Sequence, residues 1–170
     1  MLTLSSRSLR WTSAIGAVVL VSATAYGTGT TRLHQGDRWS FSCPANWTDA
    51  PPGTSALGSV ASPVPVNGLL PNVNIVREPF VGNSAAYAAA NITALNGAGA
   101  HVLSQHAVAS GGLTAVDIET QWPAATPRRT VQRMMAVGGF GYVLTCTVGD
   151  QAATARAICD PILATFQVQP

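Results

Sequence analysis

Four extended segments in the second half of the chain constrain its fold more than any other feature: HVLSQHAVA, LTAVDIETQW, RRTVQRMMAV and FGYVLTCTV. Each carries β-branched or aromatic residues, and short turn signals separate them: Gly111-Gly112, the run from Pro123 to Pro127, and Gly138-Gly139. Glycine pairs permit the positive φ angles of a tight hairpin, and proline ends a ladder because it has no N–H to donate. Connections this short leave no room for a crossover, so consecutive strands run antiparallel.

The flanking segments supply the other layers. RWSFSCPANW alternates, with Trp39, Phe41 and Cys43 on one side and Ser40 and Ser42 on the other, and reads as a half-buried strand stopped by Pro44. From Asp49 to Pro71 five prolines predict loops with one short edge strand near Leu57 to Ala61. NVNIVREPF, residues 72 to 80, alternates and is β-branched, which predicts another strand. Gly82-Asn83-Ser84 offers an N-cap to a helix AAYAAANITALNG that stops at Gly97. At the C-terminus Ala155, Ile158, Cys159, Ile162, Leu163 and Phe166 fall on one helical stripe, with a kink or a fresh turn capped by Asp160 expected at Pro161. The order is α+β: a central antiparallel sheet with helices on it, the C-terminal helix packed across the last strand.

The N-terminus reads as an export signal. MLTLSSRSLR has two arginines and no acid, an apolar run follows, and Ala23-Thr24-Ala25 places small residues where a signal peptidase cuts. The run is shorter than the roughly 20 residues a membrane span needs, so residues 1–25 are expected to be cleaved, with membrane attachment only if they are retained. Residues 26–37, Gly- and Thr-rich without an apolar period, read as a flexible lead-in, and residues 38–170 as a single domain. The predicted compartment is the periplasm or the extracellular space of a bacterium. With 47% hydrophobic and 9% charged residues the chain has material for a core. All nine basic residues are arginines, and losing Arg7 and Arg10 leaves seven against seven acids. Without a basic patch, nucleic acid is excluded as an expected partner.

Three cysteines remain: Cys43, Cys146 and Cys159. Cys146 precedes the turn at Gly149-Asp150 on a strand, and Cys159 follows it on a helix. At roughly 3.3 Å per strand residue and roughly 1.5 Å per helix residue the two climb about 10 and 13 Å from that turn and end at similar heights. A disulfide between Cys146 and Cys159 at the sheet–helix interface is the preferred pairing. Three buried free thiols, or Cys43 bridged to either partner, are the alternatives left open.

No catalytic motif is present: no G-x-S-x-G, no phosphate loop and no dinucleotide fingerprint. His101 and His106 are five apart, which in a strand places them on opposite faces and in a helix misses the i,i+4 spacing of a metal pair, and neither C-x-x-C nor H-x-x-x-H occurs, so no metal or other cofactor is expected. Cys43 with a histidine base is a conceivable nucleophile, but its place on an apolar strand face predicts burial. Asp117 and Glu119 project from one face of a strand, and the next strand carries Arg129 and Arg133. These four form a possible polar surface patch, and cross-strand pairing such as Asp117 with Arg133 accounts for them more simply than an acid–base site does.

RWSFSCPANW, with Pro44 to Trp47, and the tail GYVLTCTVGDQAATARAICDPILATFQV, ending in Thr165-Phe166, resemble the opening strand and closing strand–helix unit of the PsbP-like superfamily, which includes exported bacterial proteins of the DcrB and LpqN type. The resemblance implies an α/β/α sandwich and members that act mainly by binding other proteins, with no catalytic residues to transfer. The lipobox cysteine of the exported lipoproteins is missing. The functional expectation is an exported, non-catalytic binding or accessory domain with an unidentified protein partner. The rivals are a secreted small-ligand carrier or hydrolytic enzyme using a sheet–helix pocket lined by the four charged residues, and a structural component of the cell envelope.

Overall fold

A computed structural model describes residues 29–170 apart from 52, 54, 124 and 126. The expected leader, residues 1–25, and the first part of the lead-in lie outside the described residues. Ten strands and two helices follow one another in the order β1 (Thr31–Gly36), β2 (Trp39–Pro44), β3 (Thr48–Asp49), β4 (Ala56–Ala61), β5 (Asn72–Pro79), α1 (Ser84–Gly97), β6 (His101–Ser110), β7 (Leu113–Trp122), β8 (Arg128–Val137), β9 (Phe140–Gly149), α2 (Ala152–Ala164) and β10 (Gln167–Val168). Strands β6 to β9 form the antiparallel meander, and β5 adds antiparallel to β9. The sheet order is β3-β4-β5-β9-β8-β7-β6, with a second sheet β1-β2-β10. Gly111 and Gly112, and Gly138 and Gly139, take positive φ at the two hairpin turns that link β6 to β7 and β8 to β9.

The two faces of the large sheet are covered differently. Tyr87 and Ala88 of α1 pack on Val116, Ile118, Met134 and Val143. The opposite face carries the larger core, in which Val73, Val131, Leu144 and Val148 meet Ala155, Ile158 and Leu163 of α2 and Trp39 and Phe41 of β2. The layers are helix, sheet, and a third layer shared between α2 and the small sheet. Helix α1 starts as its sequence requires: Asn83 is the N-cap and its side chain accepts the Ala86 N–H at 2.9 Å. It lies so close to β9 that a β-carbon on Gly141 would sit 2.3 Å from the Tyr87 ring.

Three expectations need correction. Residues 31–36 are not a lead-in but a strand paired along its whole length with β2, from Thr31 opposite Pro44 to Gly36 opposite Trp39. Its apolar residue, Leu33, faces solvent at 58% exposure while Arg32 and His34 turn inward, so no apolar period marks it. The segment at Leu57 to Ala61 is a strand, but not the edge: the two-residue β3 pairs outside it. Helix α2 runs through Pro161 as one helix, and Asp160 caps nothing. The N–H that Pro161 lacks would have met the carbonyl of Ala157, and both residues are exposed, so solvent reaches the unpaired carbonyl.

Cys146 on β9 and Cys159 on α2 form a disulfide, S–S 2.05 Å, with α-carbons 5.6 Å apart and both side chains fully buried. Closing so short a loop restricts the unfolded chain. Replacing both cysteines by alanine is expected to lower stability by about 3 kcal/mol, read as a shift of the urea midpoint, and reduction of the native protein should reproduce that loss.

Candidate functional site

The four charged residues singled out by the sequence come together, though not on a surface. Asp117, Glu119 and Arg133 are only 7%, 7% and 8% exposed, because α2 lies over them. Asp117 on β7 stands opposite Arg133 on β8, and the guanidinium donates through Nε to Oδ1 at 2.7 Å and through Nη2 to Oδ2 at 2.8 Å. Its Nη1 donates to the Leu163 carbonyl near the C-terminal end of α2 at 2.7 Å. Glu119 accepts from Arg129 Nη1 at 2.7 Å and, on its other oxygen, from Arg156 of α2. Arg129 also donates through Nε to the Asp150 carbonyl at 3.1 Å.

This arrangement is a fastening. Each oxygen of both carboxylates accepts from a guanidinium group, so the charges tie β7 to β8 and α2. Arg156 is the partner that sequence reading missed. It is the only cation on α2, and its place directly beside Ala155, where the apolar stripe begins, was the available signal.

A second polar cluster joins the two sheets. Cys43, a free thiol, has its Sγ 3.2 Å from His34 Nε2. Arg32 Nε donates to the same ring nitrogen at 3.2 Å, which makes Nε2 the acceptor and leaves the ring proton on Nδ1, 3.5 Å from Asp49 Oδ1. The sequence of groups is thiol, imidazole, carboxylate. Burial pushes the Cys43 thiol up to about 11, against the weaker pull of Arg32, and burial followed by the Arg32 charge lowers His34 while Asp49 opposes them. At neutral pH the thiol therefore holds its proton and is a weak nucleophile. His101 and His106 do not face opposite ways. A bulge between Val102 and Ser104 shifts the register and sets them opposite Gln121 and Asp117, on one side of the sheet but several residues apart. Among the described residues no group of three or more His, Cys, Asp or Glu side chains is placed to hold a metal ion, and no helix is long and apolar enough to cross a membrane.

Two hollows border the second cluster: a cleft of about 300 Å³ between β2 and the C-terminal half of α2, lined by Cys43, Pro44, Ile158, Pro161, Ile162 and Thr165 among others, and one of about 240 Å³ lined by His34, Phe41, Asp49 and Val60 among others. None of Asp117, Glu119, Arg129 or Arg133 lines either. A second feature of the surface is β6. Ten residues long, it ends the large sheet among the described residues and carries no Lys, Arg, Asp, Glu or Pro.

No family model matches the sequence, and no curated protein does. The fold does match solved structures. Cyanobacterial PsbP (CyanoP) from Synechocystis sp. PCC 6803 superposes with a TM-score of 0.62 at 13% identity, over 84% of this chain and 95% of the other. LpqN of Mycobacterium tuberculosis, described as involved in cell envelope biogenesis, superposes with a TM-score of 0.60 at 14% identity, over 85% and 87%. The chain has the PsbP-like fold.

Two outcomes follow from the clusters. Arg133→Met strands the Asp117 carboxylate in the core and should cost about 3 kcal/mol in urea unfolding, most of it recovered when Asp117→Leu is added. For Cys43 the ordinary value is 9.0 and the folded one about 11. Between those two the unfolded thiol ionises while the folded one keeps its proton, so the thiol's contribution to stability falls as pH rises through that window. The urea midpoint of the native protein should drop more steeply there than that of Cys43→Ala.

Proposed function

We propose that the protein is an exported accessory domain of bacterial type that performs no chemistry of its own and acts by binding another protein through strand β6. The observation that carries this reading is the unprotected edge. A terminal strand presents a row of unpaired N–H and C=O groups, and natural proteins blunt such edges with charges, prolines or very short strands. Over its last seven residues β6 keeps a regular register with β7, from Ser104 opposite Glu119 to Ser110 opposite Leu113. It carries no charge there apart from any proton on His106. An extended segment of a partner can add to such an edge by backbone hydrogen bonds alone.

Export is supported by the N-terminal signal pattern and by the disulfide, a bond that persists in oxidising compartments. The likeness to LpqN, described as involved in cell envelope biogenesis, favours a role at the envelope. Absence of catalysis is favoured by the pairing of the buried carboxylates with guanidinium groups and by the protonated Cys43 thiol.

Cross-linking and capture from the exported fraction tests the reading, with a double variant Ala107→Lys and Ala109→Lys as control. Both side chains are exposed, so the fold should survive, whereas two lysines on the edge repel an added strand. A discrete partner held by the native protein and lost by the variant is expected. Identical recovery from both, or no partner from either, would remove the basis for strand addition.

A further inference from the structure

Helix α1 covers only part of its face of the large sheet. Beneath it the cross-strand row is apolar: Val116, Met134, Val143 and Val76 stand in register. Two and four residues further along each strand, the same face turns polar. Gln132, Thr145 and Asn74 form one row beside Ile118, whose side chain still packs under α1, and Thr120, Thr130, Thr147 and Asn72 form the next. A sheet face of this composition usually lies flat in solvent. This one does not: Thr120 is fully buried and Thr130 is 5% exposed.

Asn72, Thr130, Gln132, Thr145 and Thr147 of these rows floor a recess of about 300 Å³, at the small end of ligand cavities, and Leu69, Trp122 and Arg128 complete its walls. Two polar atoms in the lining are buried without a hydrogen-bond partner among the described residues, the indole Nε1 of Trp122 and Oε1 of Gln132. The Gln132 amide uses its nitrogen on Thr145 Oγ1 at 3.2 Å, and turning the amide over would only exchange which of its atoms is left unpaired. Buried polar atoms without partners are costly, and they are rare in folded proteins. Arg128, exposed and stacked over the Trp122 ring at 5.1 Å, is the only formal charge in the lining among the described residues.

The geometry points to a binding site for a small carboxylate that bears an amide or hydroxyl beside the acid. Arg128 answers the negative charge. The Trp122 N–H and the hydroxyls of Thr145 and Thr147 are donors for its oxygens, and Gln132 Oε1 accepts the adjoining N–H or O–H. One cation and no acid in the lining favour a single negative charge. The same chemistry is presented by the C-terminal residue of a peptide and by a free hydroxy acid. The inference does not depend on strand addition at β6, whose outer edge lies beyond β7 and lines no part of the recess.

The test is titration of the ¹⁵N-labelled protein with N-acetylalanine, with lactate and with N-acetylalaninamide, following the Trp122 indole N–H resonance assigned through Trp122→Phe. Saturable shifts with N-acetylalanine but not lactate assign the site to a chain terminus, and the reverse assigns it to a free acid. Either acid should bind at least about tenfold more tightly than the uncharged amide, and Arg128→Gln should remove about that factor. Arg128 is exposed, so unchanged resonances elsewhere will show that the variant is folded. No shift with either acid, equal binding of the amide, or affinity unchanged in Arg128→Gln would overturn the assignment.

Discussion

Arg133 gathers three elements of this fold. Its guanidinium grips Asp117 with two hydrogen bonds across the β7–β8 ladder and spends a third on the Leu163 carbonyl at the end of α2. Taking an ion pair out of water costs several kcal/mol unless hydrogen bonds offset the loss, and here the helix end adds a third acceptor to the two carboxylate oxygens. The pair thus specifies where α2 must lie. Arg156 repeats the device nearer the start of the helix through Glu119, and the Cys146–Cys159 bond fixes the middle. With α2 held at three points, Ile158, Leu163 and Phe166 are pressed into the core that the small sheet completes.

The small sheet rests on that arrangement. β10 follows α2 directly and pairs with β2 at Gln167 and Val168, so the placement of the helix also places the strand that closes the chain. Thr165 reinforces the junction by accepting the Ser42 N–H at 2.8 Å. β2 brings Cys43 inward, and β1 lays Arg32 and His34 beside it. The resulting thiol–imidazole–carboxylate order has the outline of a nucleophilic site, yet burial keeps the proton on sulfur against the pull of the Arg32 charge. A constellation of suitable residue types does not amount to an activated nucleophile; the local dielectric decides.

The opposite face is governed by the length of α1. Fourteen residues of helix, roughly 20 Å at 1.5 Å per residue, cover one end of ten-residue strands and leave the other end to itself. The strands adjust by changing residue type midway, from valine and methionine to threonine, glutamine and asparagine. The uncovered end becomes a polar hollow, overhung by Leu69, Trp122 and Arg128.

The meander, the N-cap at Asn83, the apolar stripe of α2 and the cysteine pair were legible in the sequence, because each depends on residues close together or on a period that a single element imposes. β1 was illegible because its one large apolar residue faces water. The continuity of α2 past Pro161 was hidden because the cost of a lost hydrogen bond depends on whether solvent reaches the orphaned carbonyl. The charged quartet was visible as residues but not as a buried lock, since Arg156 and the Leu163 carbonyl come from an element some forty residues beyond Asp117 in the chain. Local periodicity and turn chemistry determined the elements. Which of their polar groups are dry, and what those groups touch, was decided only when distant segments packed together, because desolvation belongs to the assembled interior and to no single stretch of chain.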